Sequence, residues 1–167
     1  QLSVLSTQQI QAVSAADFGA FSTTLLRAFD TALLQAISTG SIEALSSTQV
    51  AGLSTSQLIA LTTQQVRAIE ASDLAALSVT NLSRLLDDQV RALTTAQVAG
   101  FSTTQVAGLT TAQFAAITTA GIAAFSSTQV AALTTAQLVA LTTSQALALE
   151  AADVAALSTT QLRAIEP

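Results

Sequence analysis

LTTAQVAG, residues 93–100, is the stretch whose reading decides the fold. FSTTQVAG (101–108) and LTTAQFAA (109–116) follow it without a gap, and the pattern runs as twenty consecutive octads from residue 5 to residue 164. Numbered from its leading residue, an octad has Leu, Ile, Val or Phe at position 1 in every copy. Position 2 is Ser or Thr in sixteen copies, and position 5 is Gln in twelve. Position 6 is large and apolar except at Ala146, and position 8 is Ala or Gly except at Arg84. A fixed short period of this kind marks a quasi-one-dimensional array in which each unit leans on its neighbours.

The octad reads as a helix start written twenty times. Ser or Thr at position 2 is an N-cap that accepts from the amide three residues on, while Gln at position 5 reaches back to the cap's own amide. The apolar residue before the cap faces the apolar residue at position 6, so Leu133 pairs with Leu138 and Leu109 with Phe114 as hydrophobic staples. Pro167 keeps the register, falling at the first helical position after Glu166. Asp17, Asp73, Asp153 and Asn81 are polar substitutes for Gln at position 5.

One continuous helix is excluded. Eight residues turn a helix by about 800°, so the apolar positions would precess by roughly 80° per octad and form no stripe. A β-solenoid is the other alternative, since Thr, Val and Ile favour strands, but Gly and Asn are too sparse to turn its corners. The expected architecture is therefore all-α: a single array over residues 1–167, a solenoid of very short helices, one per octad. Isolated helices shorter than about 12–15 residues are marginal in water, so each must be completed by stacked neighbours. Ala at position 8 lets helices approach closely.

Two stretches depart from the pattern. Leu25, Leu26, Phe29, Leu33 and Leu34 follow helical spacing across residues 22–36, and Leu82, Leu85, Leu86 and Val90 do so across 78–92. Leu86 occupies a cap position. These stretches predict two fused helices of about 14 residues, near the ordinary globular length. A higher-order repeat is also present: the segments starting at Leu5, Leu61 and Leu141 resemble one another at intervals of seven and ten octads. The intervals differ by three octads, as if units are gained or lost in blocks.

Composition narrows the function. Only 9% of residues are charged, the net charge is −5, and no ionisable side chain lies between Ala92 and Leu149. Without clustered Lys or Arg, neither nucleic acid nor an anionic membrane is an expected partner. Ser, Thr and Gln interrupt every apolar run, so no membrane span is expected. There is no His, Cys or Lys to serve as base, nucleophile or soft ligand, and no catalytic, cofactor-binding or metal-ligating residue is nominated. Glu70/Asp73 and Glu150/Asp153 read as acidic capping boxes, and Arg84–Asp88 and Asp87–Arg91 as surface pairs at i,i+4. The Thr column at position 3 (Thr95, Thr103, Thr111, Thr119, Thr135, Thr143) should hydrate helix starts from one face. Such a face could also present hydroxyls to a glycan or to ice. The Gln column reads as capping first and as a hydrogen-bonding surface second.

The units LTTAQVAG, LSTSQLIA and LTTAQLVA resemble the LTTxQ-type octapeptide repeats of long bacterial secreted or surface proteins, and the resemblance covers essentially the whole chain. It implies a stalk, adhesive or matrix segment at an extracellular or cell-surface location, continuing beyond one domain. Low surface charge favours association, and a repeat without polar end caps can stack on another. The expected function is thus a structural one, as a homo-oligomer or filament built by end-to-end and lateral contacts. A glycan- or ice-binding module and a passive stalk are the alternatives, and an enzyme is not expected.

Overall fold

The computed structural model describes residues 6–165 and is helical throughout, with twenty helices of four to seven residues, one per octad, from α1 (Thr7–Gln11) to α20 (Thr159–Ile165). Pro167 and the start of the first octad lie outside the described residues. Most helices open as expected. In LTTAQVAG, Thr94 has an extended backbone (φ −76°, ψ 159°), its side chain accepts from the Gln97 amide at 3.2 Å, and Gln97 Oε1 accepts from the Thr94 amide at 2.9 Å. The helix ends when the position-1 amide of the next octad donates back to the position-6 carbonyl, as Phe101 does to Val98 at 3.2 Å. The cap and the residue before it then run extended and reverse the chain. Among the described residues none has positive φ, so the turns need no glycine.

The helices stack in threes. Each packs on the helix three octads away, as α1 does on α4 (Thr31–Ala36) and α17 (Thr135–Val139) on α20. One turn of the solenoid is therefore three octads, and the chain forms three parallel stacks of helices. Positions 1 and 6 point inward from all three and build one continuous core, from Ile10 and Phe18 through Val66 and Phe114 to Leu157. Both proposed staples, Leu133/Leu138 and Leu109/Phe114, are buried in it. Each fully buried Leu, Val or Phe contributes roughly 1.5–3 kcal/mol, a gain that no helix of this length could make alone. Near the beginning, Phe18, Phe21 and Phe29 cluster with ring centroids 5.0–6.4 Å apart.

The two expected long helices are absent. Residues 22–36 form α3 (Thr23–Arg27) and α4, and residues 78–92 form α10 (Val79–Leu82) and α11 (Asp87–Arg91). In the first stretch Asp30 caps the restart, its carboxylate accepting from the Leu33 amide at 2.8 Å, while Phe29 stays buried at position 1. In the second, Leu86 cannot accept a bond, but Gln89 Oε1 still takes its amide at 2.9 Å and holds it extended (φ −71°, ψ 151°). Half of the capping box suffices to restart the helix, and the Leu86 side chain is left 52% exposed. The Thr column is corrected too. Because successive octads fall on successive stacks, its threonines project from three sides rather than one.

Candidate functional site

The most ordered polar feature lies inside. From Gln49 onward the position-5 glutamines are almost wholly buried, Gln97 and Gln137 at 1% exposure. Their Oε1 serves the local cap, and their Nε2 reaches the turn beneath. Gln97 Nε2 donates to the carbonyls of Ile69 at 2.6 Å and Val66 at 2.9 Å; Gln137 does the same to Leu109 and Val106 at 2.9 and 2.8 Å. The pattern recurs in eleven octads, always reaching a position-1 carbonyl 28 residues back, from Gln49 to Phe21 through Gln161 to Leu133. A buried amide is tolerated only if its hydrogen-bonding groups are satisfied. Here it closes one helix start and ties two turns. The local motif accounts for Gln as a cap with an outward-facing amide; the fold turns that amide inward to the tie. A signal existed: Glu would serve the local box equally well, yet position 5 is never Glu. An ionised carboxylate has no proton to donate to a carbonyl.

The acidic octads use a second tie. Asp73 and Asp153 are each 5% exposed. Ser47 Oγ donates to Asp73 Oδ1 at 2.6 Å, and Ser127 Oγ donates to Asp153 Oδ1 at 2.8 Å, each across one turn. Ser47 and Ser127 are the only serines at position 3 of any octad. The expected acidic capping boxes are accordingly modified. Neither Glu70 nor Glu150 makes a side-chain cap bond; Asp153 alone accepts its cap amide, from Glu150 at 3.0 Å. The surface pairs differ as well. Arg91 meets Asp88 at 2.6 Å, both largely exposed, whereas Arg84 falls between α10 and α11 and shares no helix with Asp88. An exposed pair of this kind contributes little.

The outside is chemically plain. Thr95, Thr119 and Thr143 lie in one stack, Thr111 and Thr135 in the second and Thr103 in the third, and all are exposed. On all three sides the octads between Ala92 and Leu149 present Thr, Ser and Ala without a charge. Two large apolar side chains stand out there, Val139 at 64% and Leu147 at 82% exposure. Beside them an open groove of about 570 Å³ is lined by Leu138, Val139, Leu141, Ala146, Val154 and Ile165, among others. Ala146 sits where other octads carry a large position-6 residue, which makes room for it. Among the described residues no helix is long and apolar enough to cross a membrane.

A family model, the ALTTAQ repeat, matches the chain four times, at residues 26–63, 66–103, 87–119 and 106–143. No curated protein and no solved structure matches it.

Proposed function

The chain belongs to the ALTTAQ repeat family, and on that premise we propose that it is a structural protein without catalytic activity. It acts as a rigid solenoid segment that assembles into an extracellular filament or surface fibre. The observation that carries this reading is the uncharged outer surface between Ala92 and Leu149, with Val139 and Leu147 exposed beside an apolar groove. Surface charge is what ordinarily keeps soluble rods apart, and an exposed apolar patch gains by being covered. Lateral packing through the neutral sides repeats along the rod and gives contacts that do not close, hence fibres.

Negative-stain electron microscopy across a broad concentration range tests the proposal. Fibres that lengthen or thicken with concentration are expected, and Val139→Lys with Leu147→Lys should suppress them while leaving helical content unchanged. Single short rods at every concentration would reject assembly and leave a passive stalk. A second reading is motivated by the exposed threonines, which place hydroxyls at a regular interval along each stack: a neutral glycan or ice as ligand. Blank glycan-array and thermal-hysteresis measurements would dispose of it.

A further inference from the structure

Sixteen octads, the fifth to the twentieth, have a complete turn beneath them within the described residues. Eleven are tied to it by Gln Nε2 and two by the Ser–Asp bond. Three have neither tie: those with Ser41, Asn81 and Gly121 at position 5. Ser41 turns to its own cap, Ser38 Oγ, at 2.9 Å. Asn81 is one methylene too short to copy Gln, and Thr55 Oγ1 approaches its Oδ1 only at 3.5 Å. Gly121 has no side chain, and Ile117 Cγ2 fills the space 2.7 Å from where a Cβ would stand. The carbonyls of Leu53 and Leu93 hold the places that a Gln at Asn81 and at Gly121 would reach, and among the described residues they receive no donor. Packing is also sparse between α7 (Thr55–Ala60) and α10, the pair that Asn81 would have tied, whereas α2 (Ala15–Gly19) and α5 (Thr39–Glu43) pack closely, so that at Ser41 the missing tie is the only weakness.

These three positions are spaced by five octads. Five octads are one turn plus two helices. Ser41, Asn81 and Gly121 therefore fall on three different stacks. We propose that they are compliance points that wind around the solenoid, one on each side, so that no side carries two in succession. In an array whose stability is a sum of unit and neighbour terms, the interface with the weakest term opens first. Weak interfaces aligned on one side would make the rod bend that way; staggered by a sequence period of five against a structural period of three, they let it yield without a preferred direction. Its use as a load-bearing rod rests on the structural reading above, but the device itself needs no assembly.

Hydrogen exchange on dilute, monomeric protein tests it. The amides of Leu82 and Leu85 around Asn81, and of Ile122 and Phe125 around Gly121, should exchange at least tenfold faster than those of Val98, Phe101, Val106 and Leu109. Asn81→Gln should slow the first pair several-fold and leave the second pair unchanged. Ser41→Gln should likewise slow Ile42 and Leu45 alone, and stands in should Asn81→Gln fail to fold. Equal exchange in tied and untied octads, or a substitution that shifts every octad equally, would overturn the proposal whether or not the chain forms fibres.

Discussion

A single glutamine at position 5 makes bonds in two directions, and only one of them is local. Replacing Gln97 by Leu keeps the volume but strands the Thr94 amide and the Ile69 carbonyl in a nearly dry layer. A buried group left unpaired costs about 1–3 kcal/mol, so Gln97→Leu should lower unfolding stability by about 2–5 kcal/mol in urea titrations. Gln64→Ala, at an exposed position 4, should change it by no more than about 0.5 kcal/mol. Gln97→Glu separates the two directions. Its carboxylate can still accept from Thr94 but faces two carbonyl oxygens, so burial and repulsion raise its folded pKa above the ordinary value near 4.3. The sign follows: stability close to that of the parent at low pH, progressively lost as pH rises through the raised pKa. A Gln97→Glu variant as stable at pH 7 as at pH 4 would contradict the tie.

At the scale of the element, a helix of so few residues has almost no stability of its own, and what holds it is the pairing of one octad with the third octad before it. Position 5 answers position 3 across the turn. Where Asp73 and Asp153 replace Gln, Ser47 and Ser127 supply the hydroxyl. Ser47→Ala should therefore cost more than Thr95→Ala, by about 1–3 kcal/mol, since it leaves a buried carboxylate short of a partner. Combining Ser47→Ala with Asp73→Gln should recover most of that loss, because the new amide can reach the carbonyls of Ile42 and Leu45. A double-mutant cycle with no coupling between the two positions would mean that the bond is incidental. The restarted helix α11 belongs to the same scale. The apolar spacing over residues 78–92 could not reveal that Gln89 alone would hold Leu86 extended, because spacing reports side-chain faces and carries nothing about which amide lacks a partner.

For the whole molecule, the spacing of three octads makes some single-octad deletions harmless and others costly. Gly108 at position 8 lies against Val79 at position 3 of the helix three octads before it, closer than any Cβ could be. Deleting residues 109–116 preserves that pairing and both Ser–Asp pairs. Deleting residues 93–100, an octad of nearly the same sequence, moves Ala116 onto Val79. That deletion should be less stable than the other by about 1–3 kcal/mol, the usual cost of overpacking, and Ala116→Gly should rescue it. Equal melting temperatures for the two deletions would argue against three octads per turn. The same count gives meaning to the intervals noticed in the sequence. The spacings of seven and ten octads differ by one complete turn, and each moves its acidic octad onto a new side of the solenoid.

Much was decided within eight residues. Cap, capping partner, staple and small residue all act over three to five positions, so their types alone determined short helices, their register, the inward faces at positions 1 and 6, and the dependence of each unit on its neighbours. The number of octads per turn, the burial of the Gln column and the pairing of Ser47 with Asp73 belong to the tertiary structure. They depend on how far the chain rotates at two extended residues between helices, a backbone torsion that no residue type in the octad specifies. Once three helices close a turn, the carbonyl awaiting Gln97 is that of Ile69, in the octad three before its own and far along the chain, and only packing brings the two together.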